Sequence, residues 1–149
     1  MTHKEFRHVL LADDDLDDCE FFSDVFKTEF TDVKLTVSND GNKLMAVLKG
    51  PPTPEADLIF LDLNMPMLSG PQCLEKIRAS LELNKHIVVI FSTSSDPADI
   101  LKMYSLGANY FITKPAEYNH LSKLIGRAMD LVSQTGAEQP AFEKFYIAI

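Results

Sequence analysis

The sequence contains little cysteine and no long apolar run. Its two cysteines, Cys19 and Cys73, lie in apolar-periodic stretches and form no Cys-x-x-Cys pair, so we expect buried thiols rather than a disulfide or a metal site. The first residues are polar and charged, and no apolar run is long enough to span a bilayer, so we expect neither a signal peptide nor a membrane segment. These absences predict a cytoplasmic protein.

Basic residues are also scarce relative to acidic ones. The chain has 14 Lys and Arg against 22 Asp and Glu, a formal net charge of -8. Phosphate backbones and anionic lipids repel such a chain, which disfavours nucleic acid and membranes as partners. The charge suits either a basic protein surface or a divalent cation and does not separate the two. The length of 149 residues, 46% of them hydrophobic, fits one globular domain.

Short apolar runs alternate with segments in which apolar residues recur every three or four positions. This alternation predicts five β-α units, which right-handed crossovers assemble into a doubly wound parallel α/β sheet. In the third helix, Leu74, Ile77 and Leu81 are predicted to form the buried face. We assign residues 1–134 to this domain and residues 135–149 to a C-terminal tail. The predicted strands are residues 9–12, 33–37, 58–61, 87–91 and 110–112.

Polar and charged residues stand where four of these strands end. Asp13 and Asp14 follow the first strand, Asp62 follows the third, Ser92 follows the fourth and Lys114 follows the fifth. In a doubly wound sheet, the carboxyl ends of the strands meet at the edge where ligands bind. The sequence therefore predicts three carboxylates, one hydroxyl and one ammonium in one shallow pocket.

This set of groups favours phosphoryl chemistry. Three neighbouring carboxylates raise each other's pKa unless a cation such as Mg²⁺ neutralises them. Asp62 can form an acyl phosphate, while Lys114 and Ser92 can contact the phosphoryl oxygens. Each residue also has a plainer interpretation: the Asp residues and Ser92 as helix caps or turns, and Lys114 as a solvated loop residue. Their joint placement is what favours a phosphoryl site.

The motifs resemble the receiver domains of two-component response regulators, over roughly residues 7–132. The family's acidic pair after the first strand resembles Val-Leu-Leu-Ala-Asp-Asp-Asp at 9–15, and its phosphoacceptor loop resembles Leu-Asp-Leu-Asn-Met-Pro-Met-Leu-Ser-Gly at 61–70. Ser92 and the pair Lys114-Pro115 complete the match. The local sequence around Asp62 and Ser92 is similar to that of single-domain regulators that partner bacterial sensor kinases, including phytochrome-type ones.

The resemblance implies a flavodoxin-like (β/α)₅ fold with strand order 2-1-3-4-5. It implies that Asp62 takes a phosphoryl group from a phosphohistidine on a sensor histidine kinase or a histidine phosphotransfer protein. It further implies that Asp14, Asp62 and the backbone carbonyl of Asn64 ligate Mg²⁺, with Asp13 acting mostly through water. The protein is then a phosphoacceptor switch, not a turnover enzyme, since it catalyses only its own phosphoryl transfer and dephosphorylation.

The resemblance also implies how the switch operates. Ser92 is the hydroxyl that moves toward the phosphoryl group, and Phe111 stands at the family's switching aromatic, although a plain core phenylalanine is an equal alternative. The face of residues 99–106, 110–112 and 118–127 is then expected to contact a partner or a second copy. No DNA-binding module follows, so we expect output by protein contact or by onward transfer. Thr93 replaces a common Ala, and the lifetime of the acyl phosphate stays open.

Two other classes compete with this interpretation. A haloacid-dehalogenase-like phosphatase also uses an Asp nucleophile after a strand, but that family has a second Asp two residues later, where this chain has Asn64. A receiver-like binding module that is never phosphorylated usually lacks part of the acidic cluster or the lysine, and this chain has both. The chain could also be one domain of a longer protein.

Overall fold

The computed structural model describes residues 5–50 and 55–148, which form a parallel sheet flanked by helices on both faces. The strands are ordered β2-β1-β3-β4-β5-β6. In chain order the elements are β1 His8–Ala12, α1 Leu16–Glu29, β2 Lys34–Ser38, α2 Gly41–Lys49, β3 Leu58–Leu61, α3 Gly70–Ala79, β4 Val88–Ser92, α4 Pro97–Ser105, β5 Tyr110–Thr113, α5 Tyr118–Thr135, a short 3-10 turn Phe142–Lys144 and β6 Tyr146–Ile147. The prediction of a flavodoxin-like α/β fold is confirmed, and a sixth strand is added to it.

The central strands are apolar on both faces because helices cover both faces. In β1, Val9 and Leu11 contribute to the core beneath α1 and α5, whereas Leu10 and Ala12 contribute to the core beneath α2, α3 and α4. β1 pairs with both β2 and β3, so the strand order reverses there. The edge beyond the carboxyl ends of β1 and β3 is therefore the expected ligand crevice.

The third helix is shorter than its apolar pattern suggests. It ends at Ala79, and the backbone of Ser80 is extended, so the chain leaves the helical path before Leu81. Leu81 is 93% exposed, so its predicted place on the buried helix face is wrong. Leu83, two residues later, is buried instead of Leu81. It lies in a turn that hydrogen bonds from Arg78 to the carbonyl oxygens of Asn84 and His86 stabilise.

Both cysteines are buried free thiols, as the sequence predicts. Burial raises the pKa of Cys19 to about 12 and that of Cys73 to about 11, so neither is a thiolate near neutrality. Within the two described ranges, no helix has the length and apolar content needed to cross a membrane.

The residues after α5 return to the sheet. Gly136 has a positive φ of 62°, which lets the chain reverse direction there. The Gln139 amide then donates to the carbonyl oxygens of Tyr104 and Ala108 at 2.8 and 2.7 Å, and the Tyr104 hydroxyl donates to the Pro140 carbonyl at 2.8 Å. The tail is thereby bound along the α4–β5 connection.

The sixth strand covers the edge of β5. Phe111 and Ile112 pair with Tyr146 and Ile147 in parallel register. The Phe145 side chain is fully buried, with its ring centroid 5.0 Å from that of Tyr104 and 6.3 Å from that of Phe111. The tail thus completes the hydrophobic core on the α4 side of the sheet.

Truncating Phe145 should destabilise the fold strongly. Phe145→Ala removes a fully buried ring and is expected to lower the free energy of unfolding by about 3 kcal/mol or more. Phe142→Ala is the matched control because Phe142 is 46% exposed, and it should cost about 1 kcal/mol. Denaturant unfolding measures both, and equal losses in the two variants would contradict the tail's place in the core.

Candidate functional site

Backbone hydrogen bonds fix the residues that follow the central strands. The Asp62 amide donates to the Ala12 carbonyl at 2.9 Å, and the Lys114 amide donates to the Ser92 carbonyl at 2.7 Å. The Asp13 amide donates to the Ser38 carbonyl at 3.0 Å. The hydrogen-bonding pattern of the sheet therefore continues one residue beyond each strand, which holds these side chains at one edge.

The Lys114 ammonium lies at the centre of this edge. Its Nζ is 2.8 Å from Asp13 Oδ2, 2.9 Å from Asp18 Oδ2 and 3.3 Å from Asp62 Oδ2. The Lys114 side chain is only 8% exposed, and Nζ lies 5.4 Å from the centroid of the Phe91 ring. The structure thus brings Asp13, Asp62 and Lys114 together, as the strand-end pattern predicts.

The sequence interpretation missed Asp18. This residue lies in the first turn of α1, and its backbone amide donates to the side chain of Asp15, the N-cap of the helix. The Asp18 side chain turns back over the sheet edge and accepts a hydrogen bond from Lys114. The available signal was its nearness in sequence to Asp13 and Asp14, since it lies in the first turn of the helix that directly follows β1.

The carboxylates could hold a cation. Asp13, Asp14 and Asp62 offer oxygen atoms that all lie within 4.8 Å of one another. Asp13 Oδ2 is fully buried and has no hydrogen bond of good geometry among the described residues, although Lys114 is close enough for an ion pair. Asp14 is exposed, which leaves room for coordinated water. Oxygen ligands with open positions suit Mg²⁺, so these residues fit the ion that the sequence predicts.

The charges around Asp62 shift its protonation. Burial, reinforced by the Asp13 carboxylate and only partly opposed by Lys114, raises the pKa of Asp62 to about 7 from its usual 3.8. Burial alone would lower the pKa of Lys114, but the close Asp13 carboxylate, the hydrogen bond to Asp18 and the charge of Asp62 raise it. The ammonium is therefore charged throughout the range in which Asp62 titrates.

The loop after β3 is fixed at both ends. Asp62 Oδ1 accepts the Leu63 amide at 2.8 Å, and the Gly70 amide donates to the Leu63 carbonyl at 2.9 Å. A Cβ atom on Gly70 would lie 2.2 Å from the Asp62 carbonyl oxygen, so only glycine allows this approach. A capping box between Ser69 and Gln72 starts α3 immediately after the loop. Asn64, the remaining predicted metal ligand, is exposed within this loop.

The two predicted switch residues are both buried. Ser92, the last residue of β4, accepts the Ser94 amide on its hydroxyl oxygen at 3.2 Å, so its own hydrogen is left for another acceptor. Phe111 is 0% exposed, and its ring lies 5.9 Å from that of Tyr146. Ser92 therefore lies at the sheet edge, while Phe111 lies in the core beneath the tail.

The stability of the cation-free protein should fall as the pH rises toward neutrality. Between 3.8 and about 7, the folded protein holds a proton on Asp62 that the unfolded chain has lost. This stabilisation is fully present below the unfolded pKa and is lost as the pH passes the folded value. Denaturant unfolding with EDTA, compared between wild type and Asp62→Asn, isolates the effect; a pH-independent difference between the two would contradict it.

Comparisons with known proteins agree with this geometry. The chain matches the family model described as the response regulator receiver domain over residues 9–126. It is 31% identical over 121 residues to the response regulator Rcp1 of Synechocystis sp., covering 78% of this chain and 82% of that relative. It is 30% identical over 130 residues to the two-component response regulator ARR17 of Arabidopsis thaliana, covering 81% of this chain and 84% of that relative.

Solved structures give the same result. A Mn²⁺-bound form of Rcp1 superposes with a TM-score of 0.75 at 29% identity, covering 91% of this chain and 99% of that one. The phosphorylated cyanobacterial phytochrome response regulator RcpA gives 0.76 at 27% identity, covering 92% and 100%. With the family model matching most of the chain, this protein belongs to the response regulator receiver domain family.

Proposed function

We propose that the protein is a phosphorelay response regulator in which Asp62 accepts a phosphoryl group from a phosphohistidine of a histidine kinase or a histidine phosphotransfer protein. The observation that carries this proposal is the position of Asp62. Its carboxylate follows a central strand and lies 3.3 Å from the Lys114 ammonium. One of its oxygen atoms also lies within 4.8 Å of carboxylate oxygens of Asp13 and Asp14. Receiver family membership supports the same role.

The transfer is a displacement at phosphorus. A carboxylate oxygen of Asp62 forms the new P–O bond, the P–N bond to the donor histidine breaks, and its electron pair stays on the imidazole nitrogen. Lys114 neutralises charge on the phosphoryl oxygens, and Ser92 can donate its hydroxyl hydrogen to one of them. These residues position and stabilise the group, which is the main requirement of phosphoryl transfer.

We assign the divalent cation to Asp13, Asp14, Asp62 and the backbone carbonyl of Asn64, with Asp13 acting mostly through water. When bound, Mg²⁺ neutralises the carboxylates and the phosphoryl oxygens, which favours the ionised, nucleophilic form of Asp62. The buried Asp13 oxygen without a well-aligned hydrogen bond supports a cation here. The relative Rcp1 has been crystallised in a Mn²⁺-bound form.

The output is a change of the protein-interaction face. Phosphorylation adds roughly −1.5 to −2 charge, which draws Ser92 inward and repacks Phe111. The face predicted from the sequence comprises residues 99–106, 110–112 and 118–127. Because residues 110–112 are buried and β6 pairs with β5, the contact would be made through the α4 and α5 ranges. The face would contact a downstream protein or a second copy. Both thiols are free, which suits the cytoplasm.

Incubation with acetyl phosphate and Mg²⁺ tests the proposal. We expect one phosphoryl adduct on the intact protein, detected by mass spectrometry, because Asp62 attacks phosphorus and acetate leaves. Asp62→Asn and addition of EDTA should each abolish the adduct. Asp57→Asn is the control, since Asp57 lies at the opposite end of the sheet, where it accepts the Arg7 amide, and it should leave labelling intact.

The outcomes separate the competing functions. An adduct lost in Asp62→Asn supports a phosphoacceptor switch. Steady hydrolysis of many phosphate esters would instead favour a phosphatase with an Asp nucleophile. A protein that folds and binds Mg²⁺ but takes up no phosphoryl group would be a receiver-like binding module, and the proposal would be wrong.

The interaction face gives a second prediction. Beryllofluoride with Mg²⁺ mimics the phosphoryl group, and we expect it to increase the apparent mass of the protein in solution if the face binds a second copy. Multi-angle light scattering measures this change, with Asp62→Asn as the control. An unchanged mass at saturating beryllofluoride would count against phosphorylation-dependent dimerisation.

A further inference from the structure

Asp18 contacts the phosphoacceptor site without being one of its assigned residues. We propose that Asp18 is a positioning residue for phosphorylation of Asp62 and that it acts through Lys114. The inference rests on the proposed phosphoacceptor function. Its basis is the 2.9 Å hydrogen bond from Lys114 Nζ to Asp18 Oδ2, which is shorter than the 3.3 Å contact from Nζ to Asp62.

The ammonium geometry gives Asp18 a defined role. A lysine ammonium has three N–H donors, and the Lys114 Nζ has three carboxylate neighbours, Asp13, Asp18 and Asp62. The ion pair with Asp13 and the hydrogen bond to Asp18 hold the ammonium in place, so that it also donates to Asp62. This is where the phosphoryl oxygens must be neutralised, so the ammonium is oriented before the donor arrives.

Asp18 is the carboxylate whose contact with Lys114 the reaction does not change. Asp13 is also a candidate cation ligand, so a bound cation competes with Lys114 for it. Asp62 is itself modified in the transfer. The carboxylates grouped within 4.8 Å of one another are Asp13, Asp14 and Asp62, which leaves Asp18 committed to the ammonium. Its own side chain is 35% exposed on α1.

Loss of Asp18 should slow phosphorylation although it removes negative charge. Reduced charge alone would ease the approach of an anionic donor. Without Asp18, the ammonium loses one of the two contacts that direct it at Asp62. We expect this loss of preorganisation to outweigh the gain from the reduced negative charge. For Asp18→Asn we expect a roughly fivefold lower rate of adduct formation. This is at the low end of the effect of losing a charge-assisted hydrogen bond, because the Asp18 side chain is partly exposed.

The test compares the rate of adduct formation from acetyl phosphate and Mg²⁺ in four proteins. These are wild type, Asp18→Asn, Asp17→Asn and Asp18→Glu. Asp17 is the matched control because it lies exposed in the same first turn of α1 and carries the same charge. Asp18→Glu keeps a carboxylate within reach of Lys114 and should restore most of the wild-type rate. Calorimetric Mg²⁺ titration should give Asp18→Asn the same affinity as Asp17→Asn.

Each result decides the inference. A slow Asp18→Asn, with unchanged Mg²⁺ affinity and rescue by Asp18→Glu, supports it. It is overturned if Asp18→Asn labels as fast as Asp17→Asn, if Asp18→Glu is as slow as Asp18→Asn, or if Mg²⁺ affinity falls in step with the rate. A wild-type protein that takes up no phosphoryl group would overturn the phosphoacceptor function itself, and this inference with it.

Discussion

The ion pairing of one buried lysine organises the functional edge of this protein. Lys114 is almost fully enclosed and lies within 3.3 Å of three carboxylates, two from the β1–α1 segment and one from the end of β3. So little exposed an ammonium is tolerable only because its partners surround it. The carboxylates in turn depend on the lysine, since their mutual repulsion would otherwise have to be relieved by protons or by a cation.

The sheet is what makes this arrangement possible. β1, β3 and β5 contribute the residues after their last positions, and continued backbone hydrogen bonds hold Asp62 and Lys114 in place. Only Asp18 comes from a helix. The same sheet extends to β6, where Phe145 and Phe111 share one core. The Thr113 hydroxyl donates to the Ser94 carbonyl and lies 2.7 Å from the Tyr146 hydroxyl. Hydrogen bonds through Thr113 therefore connect the tail to the loop after Ser92.

Much of this could be predicted from the sequence, because it depends on local patterns. The apolar runs that precede Asp62 and Lys114 identify buried strands, and the polar residues after them mark the sheet edge at the carboxyl ends of those strands. Asp18 was missed because an acidic residue in a first helical turn is equally well explained by capping and the helix dipole. β6 was missed because two residues are too few to show strand periodicity. Leu81 fits a helical spacing, but the conformation of Ser80 ends the helix first.

A crystal structure of the protein with Mg²⁺ and beryllofluoride would show whether Lys114 and its carboxylates form the phosphoacceptor site. We expect beryllium on a carboxylate oxygen of Asp62, a fluoride within hydrogen-bonding distance of Lys114 Nζ, and the cation against Asp13 and Asp14. The Lys114–Asp18 contact should persist in that state. Beryllofluoride bound elsewhere, or a Lys114 side chain turned away from Asp62 into solvent, would contradict the claim that this lysine and its carboxylates form the phosphoacceptor site.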